Sequence, residues 1–381
     1  MRRTCLSMPN NLPVLITAGE ISGDRLGAEV MRGLKQKNAS LKFFGVGGPL
    51  MQKEGLIELF PMEDINVMGL VEVIPAIPCI LRRLRELKLW MRTYQPQAVI
   101  TVDAQDFSAR LRKAARKAAP QAKLVQVSSP TIWAWRAGRA KALKRDTDAV
   151  LTLFPFEVEV LAKHGILATY IGHPALGYLP APQAGAPKTF QLALMPGSRA
   201  SEVARHLPAM LGTLTRLQKL LPSLTATLIL PSKTLLDTLP EPLRTHAATL
   251  PLTPPAERFE TLQNAALALA KSGTNNLELA LLGTPAIVGY KTSWITYNIA
   301  KYLIKTKYIS LPNIILNKLI YPEFIQNAFT EQNLTRAAYP LLTDSKAAGR
   351  QTESLKHLRQ IMETESPPSH LAATAITALL T

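Results

Sequence analysis

The stretch Val14–Lys35 reads VLITAGEISGDRLGAEVMRGLK and begins an alternation of apolar runs and helical spacing that continues along the chain. Its first residues, Val14–Thr17, form a short apolar run that predicts a strand, and Arg25–Lys35 has the spacing of a helix. A second strand is predicted at Phe43–Val46. A strand followed by a helix and another strand is typical of a parallel sheet covered by helices.

The same alternation runs through the chain in two blocks. The first block continues with a predicted helix at Phe107–Ala119 and with predicted strands at Ala98–Val102, Leu124–Val127 and Val150–Leu153. The stretch 178–188 is rich in Pro, Ala and Gly, as a connector is. Strands are then predicted at Leu192–Met195, Thr227–Leu230, Leu267–Ala270 and Ala286–Val288. We therefore expect two doubly wound α/β units, with ligands at the carboxyl ends of their strands.

Composition narrows the function classes. The 381 residues carry a formal net charge of +17, which favours anionic partners such as nucleic acid, lipid headgroups or phosphorylated substrates. A hydrophobic content of 47% excludes a disordered chain. Two cysteines without metal-ligand spacing argue against a disulfide framework or a zinc site and suit a reducing cytoplasm. We expect neither an export signal nor a bilayer-spanning segment.

Two loops of the second block have residues suited to a nucleotide. Gly197 and Ser198 follow a predicted strand and would let a phosphate approach the backbone, while Arg199 supplies a guanidinium fork. A tight turn with a surface arginine is the alternative. A similar loop follows the strand Leu267–Ala270 and contains Ser272, Gly273 and Thr274. Glu278, one turn into the next helix, either accepts ribose hydroxyls or stabilises the helix start.

The first block has acidic loops after two of its strands. Residues 18–24 lack the GxGxxG spacing of dinucleotide enzymes, which argues against hydride chemistry, and Ser22 or Asp24 could simply cap a helix. Asp103 is predicted at a strand tip, where a general base belongs, and Asp106 could cap the following helix.

A tryptophan-rich stretch follows the strand Leu124–Val127. Residues 127–141 contain Trp133, Trp135 and Arg136, an aromatic and cationic pattern that suits an anionic, partly apolar ligand. A core tryptophan pair beside solvated charges is the alternative.

An apolar stretch that becomes abruptly basic lies at Val67–Arg85. This pattern suits contact with a membrane surface, and the alternative is a core helix with a solvated basic end. Pro75 and Pro78 are expected to prevent one long buried helix.

Taken in order, these motifs resemble the lipid-A-disaccharide synthase family over nearly the whole chain. The matching residues are Ala18–Asp24, Met68–Val73, Asp103–Phe107, Trp133–Arg136, Phe154–Glu157, Gly172–Pro174, Pro196–Arg199, Ser272–Thr274, Ser310–Asn313 and Pro322–Gln326. Gln105 stands where the family has a proline, and Asn275-Asn276 stands where it has small residues.

The resemblance implies a GT-B glycosyltransferase with two Rossmann-like domains facing across a cleft. The implied organisation is an acceptor domain at 1–177, a linker at 178–188, a UDP-sugar domain at 189–340 and a helical tail at 341–381 that packs back on the first domain or on a partner subunit. The implied reaction transfers 2,3-diacylglucosamine from its UDP derivative to 2,3-diacylglucosamine 1-phosphate, without a metal or other cofactor. The family also implies a cytoplasmic enzyme peripherally bound to the inner membrane, in a possible homodimer, with no nucleic acid partner.

The resemblance also assigns roles to residues. Asp103 is expected to be the base for the acceptor 6-hydroxyl, and Arg199 to bind the UDP diphosphate. Expected substrate contacts are Glu20, Ser22, Asp106, Trp133, Trp135, Arg136, Gly197, Ser198, Ser272, Gly273, Thr274, Glu278, Asn313 and Gln326. Expected membrane-facing residues are Val67, Met68, Leu70, Val73, Ile74 and Ile77.

Two alternatives remain open at this point. Another GT-B enzyme of UDP-sugars, such as a cell-wall glucosaminyltransferase or a UDP-sugar epimerase, shares the two-unit pattern but does not explain the tryptophan-rich stretch. A basic nucleic-acid-binding protein would explain the charge, but the cations are dispersed and no recognised motif is present.

Overall fold

The computed structural model describes residues 13–66, 70–133, 138–182, 189–303 and 306–380. Contacts between residues divide the chain into two units. The first unit holds the described residues up to Pro174 and from Thr364 onward, and the second holds Ala175–Glu363. The predicted tail 341–381 is therefore divided after Glu363 between the two units.

In the described part of the first unit, seven parallel strands form one sheet. They are β1 (Val14–Ala18), β2 (Phe43–Val46), β3 (Leu56–Glu58), β4 (Ala98–Val102), β5 (Lys123–Val127), β6 (Ala149–Thr152) and β7 (Ala168–Tyr170). The helices between them are α1 (Ile21–Lys37), α2 (Pro49–Lys53), α3 (Leu70–Tyr94), α4 (Gln105–Ala118), α5 (Arg139–Asp146) and α6 (Pro155–Ala162). The strand order is β3-β2-β1-β4-β5-β6-β7. Every residue of β1 and β4 is buried, as expected for a parallel sheet covered on both faces.

In the described part of the second unit, five parallel strands form a second sheet. They are β8 (Thr189–Met195), β9 (Thr225–Leu228), β10 (Ala265–Lys271), β11 (Ala286–Tyr290) and β12 (Glu323–Ile325). The helices are α7 (Ala175–Tyr178), α8 (Ala200–Leu220), α9 (Thr234–Asp237), α10 (Glu241–Ala248), α11 (Arg258–Asn264), α12 (Asn275–Leu281), α13 (Trp294–Leu303), α14 (Leu311–Ile315), α15 (Glu331–Thr343) and α16 (Ser345–Met362). The strand order is β12-β11-β10-β8-β9, so the predicted pair of doubly wound α/β units is confirmed.

The last helix, α17 (Pro368–Leu380), returns to the first unit. It packs against α1, where Gly33 lies so close that an added Cβ would come within 2.0 Å of the Ser369 carbonyl oxygen. Ala372, Ala373 and Ile376 are fully buried in the core of this unit. Burial of these apolar side chains is what holds the helix on the sheet layer.

Helix α3 bears on one prediction from the sequence. Pro75 and Pro78 lie inside a single helix of 25 residues, so the two prolines do not break it, although the helix is not buried throughout, since Ile77 and Leu81 are exposed. A proline inside a helix costs about 3 kcal/mol, and the burial of Leu87 and Met91 in the core offsets this cost. Among the described residues, no helix has the length and apolar character needed to cross a membrane.

Each sheet has a point where the strand order reverses. The order reverses between β1 and β4 in the first sheet and between β8 and β10 in the second. At such a point the loops leave the carboxyl ends of neighbouring strands on opposite faces, which opens a crevice for a ligand. Glu20, Asp103, Gly197 and Ser272 lie in the segments that follow these four strands, whereas Trp133 follows β5 and Asn313 and Gln326 lie on either side of β12.

Candidate functional site

The first candidate site lies where β1 and β4 end side by side. Ala18 at the end of β1 pairs in register with Val102 at the end of β4. Glu20 and Asp103 follow these two strand ends, and they come from distant parts of the sequence. The parallel pairing is therefore what brings the two carboxylates to one edge of the sheet.

The backbone at this edge is close-packed and strained. A Cβ added to Gly19 would lie 2.8 Å from the Cβ of Ala104, so only glycine allows this approach of the two loops. Asp103 and Ala104 both have positive φ, at 50° and 40°, which is costly for residues other than glycine. Such strain is common where a side chain must be aimed at a ligand. The Asp103 amide is held by a hydrogen bond of 3.1 Å to the Val127 carbonyl.

Both carboxyl groups are perturbed in the same direction. Burial raises the pKa of Asp103, and hydrogen bonds from the Gln105 side chain and the Ala104 amide lower it in part. Burial raises the pKa of Glu20 as well, and the nearby negative charge of Asp103 adds to the effect. Two carboxyl groups with raised pKa at a strand end form an arrangement suited to proton abstraction.

Gln105, which departs from the family pattern, has a structural explanation. Its side-chain nitrogen donates to the Ser128 carbonyl at 3.1 Å and its side chain also hydrogen-bonds Asp103. The residue thus links the loop after β4 to the loop after β5, which a proline could not do through its side chain.

Three other polar residues of these loops have different positions. Ser22 is exposed in the first turn of α1. Asp24 is buried, and it accepts hydrogen bonds of 2.9–3.0 Å from the amides of Gly48, Leu50 and Met51 at the start of α2. Asp106 is exposed and forms an ion pair of 2.5 Å with Arg139. Asp24 therefore has a structural role, whereas Ser22 and Asp106 lie at the surface of this edge.

The tryptophan-rich stretch is only partly described. Trp133 is half-buried; its indole nitrogen donates to Glu157 at 3.1 Å, and its ring meets Phe156 edge-on at 5.2 Å. Glu157 is 2% exposed, and burial raises its pKa to about 7. Trp135 and Arg136 lie outside the described residues, so their predicted contacts stay predictions.

The predicted membrane-facing residues are also described only in part. Val67 and Met68 lie outside the described residues, and Leu70, Val73 and Ile74 belong to α3 at positions whose side chains are not described. Ile77 on the same helix is 39% exposed and Leu81 is 41% exposed. Arg82 follows them with a side chain that is 62% exposed, so an apolar and basic surface is present at this part of α3.

The second candidate site is a cavity of about 300 Å³ at the reversal point of the second sheet. It lies among the loops after β8 and β10 and the start of α12. Its lining residues are Met195, Gly197, Ser198, Glu202, Ile229, Leu230, Pro231, Thr253, Pro255, Arg258, Lys271, Gly273, Thr274, Asn275 and Glu278. Five of the predicted nucleotide residues thus line one cavity: Gly197, Ser198, Gly273, Thr274 and Glu278.

The loop after β8 is shaped by Gly197. Its φ of 129° is disfavoured for other residues, and an added Cβ would come within 2.7 Å of the Glu202 side chain. Ser198 and Arg199 are exposed, and Arg199 is the residue from which α8 starts. The backbone amides and the positive end of a helix favour an anion at this loop, and here the Ser198 amide donates to the Glu202 carboxylate at 3.0 Å.

The loop after β10 is closed by Asn276. This residue is fully buried; its side chain accepts from the Gly273 amide at 3.0 Å and donates to the Lys271 carbonyl at 3.2 Å. Thr274 lines the cavity, whereas the Ser272 hydroxyl donates to the Ile309 carbonyl at 3.0 Å and is not among the lining residues. Asn276 therefore fixes the loop, and Ser272 supports it from behind.

Glu278 lines the cavity with both carboxylate oxygens engaged. Tyr178 donates to one oxygen at 3.0 Å, and Arg258 donates to the other. The Arg258 guanidinium also stacks over Phe259 at 4.7 Å. These contacts hold the carboxylate in one orientation at the cavity wall.

Asn313 and Gln326 have internal partners. The Asn313 side chain is 0% exposed; it donates to Tyr321 and Glu323 and accepts from the amides of Ile320 and Tyr321, all at 2.8–2.9 Å. An asparagine side chain has no further strong hydrogen bond to offer. The Asn313 side chain therefore has a structural role, and its predicted contact with substrate stays a prediction.

Gln326 is engaged in a similar way but is not fully buried. Its side chain accepts from the Thr292 amide at 2.7 Å and donates to the Thr292 carbonyl at 3.2 Å. It thus holds the segment after β11, and its predicted contact with substrate stays a prediction.

Sequence reasoning missed several residues of these sites. Lys271, Arg258 and Glu202 line the cavity, and Glu157 pairs with Trp133. A signal existed for Lys271 and Glu202, because each adjoins a predicted phosphate loop. Glu157 lies in the motif Phe154–Glu157, but its contact with Trp133 depends on the fold. Arg258 has no sequence signal, since its contact with Glu278 is made only by folding.

The family model and the curated relatives point to the same family. The family model described as lipid-A-disaccharide synthetase matches residues 14–377. The lipid-A-disaccharide synthase of Pseudomonas aeruginosa (strain LESB58) is 38% identical over 347 residues, covering 88% of this chain and 91% of the relative. That of Nitrobacter hamburgensis is 35% identical over 375 residues, covering 94% and 93%.

Solved structures share the fold at low identity. The glycosyltransferase of kitacinnamycin superposes with a TM-score of 0.61 and 13% identity, covering 98% of this chain and 100% of that one. MurG of Acinetobacter baumannii gives a TM-score of 0.58 and 14% identity, covering 97% and 99%. These likenesses confirm the predicted GT-B fold class. By the match of the family model and of its full-length relatives, the chain belongs to the lipid-A-disaccharide synthase family of glycosyltransferases.

Proposed function

We propose that the protein transfers 2,3-diacylglucosamine from UDP-2,3-diacylglucosamine to the 6-hydroxyl of 2,3-diacylglucosamine 1-phosphate. The products are the β(1→6) disaccharide 1-phosphate and UDP. Asp103 removes the hydroxyl proton as the acceptor oxygen attacks the anomeric carbon, and the bond from that carbon to UDP breaks. The observation that carries this proposal is the strained, half-buried Asp103 at the strand-order reversal.

The donor UDP is assigned to the cavity of the second unit. Arg199 and the amides of Gly197 and Ser198 bind the diphosphate and stabilise the charge that develops as UDP leaves. Thr274 and Glu278 contact the nucleotide, with Glu278 accepting hydrogen bonds from the ribose. Support comes from the cavity, which is lined by both loops. Gly197 has a positive φ in the first loop, and the Glu278 carboxylate is held in place by Tyr178.

The acceptor phosphate is assigned to a basic cavity of about 270 Å³ in the first unit. Support comes from Gln105, which lines this cavity and also hydrogen-bonds Asp103. The cationic lining residues are Arg110, Arg112, Lys113, Arg139 and Arg145. Trp133 and Arg136 contact the acylated sugar in this proposal.

The protein associates peripherally with the cytoplasmic leaflet of the inner membrane in this proposal, and the expected homodimer stays a prediction. The exposed Ile77 and Leu81 beside Arg82 support contact with acyl chains and anionic headgroups. Flotation with anionic vesicles tests this: Ile77→Asp should reduce the bound fraction, and unchanged flotation would remove this surface from the proposal.

The reaction is tested by mixing the purified protein with both lipid precursors, with and without a chelator, and detecting the disaccharide by mass spectrometry. The proposal expects product in both samples. Absence of product in both would contradict the assigned substrates, and loss of product on chelation would contradict the metal-free mechanism.

A further inference from the structure

The cavity of the second unit contains an ion pair that no assigned role explains. The Nζ of Lys271 lies 3.0 Å from one carboxylate oxygen of Glu202, and the side chains are 18% and 17% exposed. Lys271 is the last residue of β10, and Glu202 lies in the first turn of α8. Both residues line the cavity.

The second oxygen of Glu202 occupies the phosphate loop. It accepts a hydrogen bond of 3.0 Å from the Ser198 amide, which is one of the groups assigned above to the diphosphate. Gly197 permits this position, because a Cβ there would meet the Glu202 side chain at 2.7 Å. One carboxylate thus binds both a loop amide and a cation, as a phosphate oxygen would.

Charge around Glu202 stabilises its ionised form. Burial by itself would raise the pKa of this carboxyl, but hydrogen bonds from Lys271 and Ser198 and the positive charges of Lys271 and Arg199 lower it overall. The group is therefore a carboxylate at neutral pH. A second anion entering the loop would be repelled unless Glu202 moved away.

We propose that Glu202 is an internal stand-in for the donor diphosphate, and that the arriving diphosphate displaces it and takes over Lys271 as a ligand. This inference rests on the proposed function, because it assumes that the nucleotide binds in this cavity. It adds Lys271 to the diphosphate ligands and makes Glu202 a competitor that sets the affinity for the nucleotide. The exchange follows from shared donors, because the Ser198 amide and the Lys271 ammonium group can serve either anion.

The test measures dissociation constants for UDP and for uridine by calorimetry. Lys271→Met should weaken UDP binding about tenfold or more, since it removes a charge-assisted contact. Glu202→Gln should tighten UDP binding about threefold or more, because the amide still accepts from Ser198 but no longer competes as an anion. Uridine, which has no phosphate, should bind both variants as it binds the wild type.

Matched controls come from an exposed pair of the same unit. Arg216 and Glu331 form an ion pair with an N–O distance of 2.7 Å, and neither residue lines the cavity. Arg216→Met and Glu331→Gln should therefore leave both dissociation constants unchanged. Weaker UDP binding in Glu202→Gln, or equal shifts for UDP and uridine, would overturn the inference. If the wild type binds UDP and the Lys271 and Glu202 variants bind it with the same affinity as the wild type, the inference is overturned but the donor site is not. If the wild type binds no UDP, the proposed donor site itself is contradicted.

Discussion

The indole nitrogen of Trp133 donates a hydrogen bond of 3.1 Å to Glu157, a carboxyl group that is 2% exposed. Burial raises the pKa of Glu157 to about 7, well above the usual range for glutamate. The folded protein therefore binds a proton at Glu157 at pH values where the unfolded chain has released it. The pair also ties the tryptophan-rich stretch to the first turn of α6.

The free energy of unfolding should depend on the ionisation of Glu157. Because its pKa is raised on folding, the full stability is present below about pH 4.5 and is lost as the pH rises to about 7. Glu157→Gln keeps a hydrogen-bond acceptor for Trp133 and should remove this loss. Urea unfolding at pH 5 and pH 8 should give a smaller difference for the variant than for the wild type, and equal differences would contradict the assignment.

Removal of the proposed base should slow turnover strongly but leave the affinity for UDP unchanged. Asp103→Asn should lower kcat about 100-fold or more, because general-base catalysis contributes that much, while the Kd for UDP stays unchanged. Glu159→Gln is the matched control, since its carboxylate is 77% exposed in the same unit. Near wild-type turnover in Asp103→Asn would show that another group removes the proton.

The hydrogen bond from Gln105 should set the pH at which Asp103 becomes a base. This bond lowers the pKa of Asp103, so Gln105→Ala should raise it. The acidic limb of the kcat/KM profile should then move to higher pH. Gln36→Ala, at an exposed position of α1, should leave the profile in place. A shift of the acidic limb to lower pH in Gln105→Ala would contradict this role.

Replacement of Arg199 should change the affinity for UDP and not the free energy of unfolding. Arg199→Ala should weaken UDP binding roughly ten- to hundredfold, because it removes a charge-assisted contact to the diphosphate. Calorimetry with UDP measures this, and Arg244→Ala serves as a control, since Arg244 pairs with Glu241 at the surface of the same unit. Unchanged affinity in Arg199→Ala would remove this residue from the donor site.

Asn313 should act on stability. Asn313→Ala leaves buried partners of its four hydrogen bonds unsatisfied and should lower the free energy of unfolding by about 3 kcal/mol or more. Gln332→Ala, at an exposed position, should change it little. A stable Asn313→Ala protein with weakened UDP binding would contradict this structural role and support the substrate contact predicted from the sequence.

The fold class and the loops that carry the sites could be predicted from the pattern of residues. Apolar runs alternating with helical spacing have few solutions other than parallel sheets covered by helices, so both doubly wound units could be predicted. Asp103 and the loop Gly197–Arg199 could be predicted as well, because their residue types mark strand ends. The helix α3 could not, since local rules on proline were outweighed by core burial at Leu87 and Met91.

Which polar side chains have internal partners depends on long-range contacts that form only in the folded protein. Asn313 belongs to the motif Ser310–Asn313, yet in the folded protein its side chain makes four internal hydrogen bonds. Glu202 and Lys271 are far apart in the chain, and only the pairing of β8 with β10 brings their charges to one cavity. Burial and long-range pairing set these energies, and neither is encoded in the local pattern of residues.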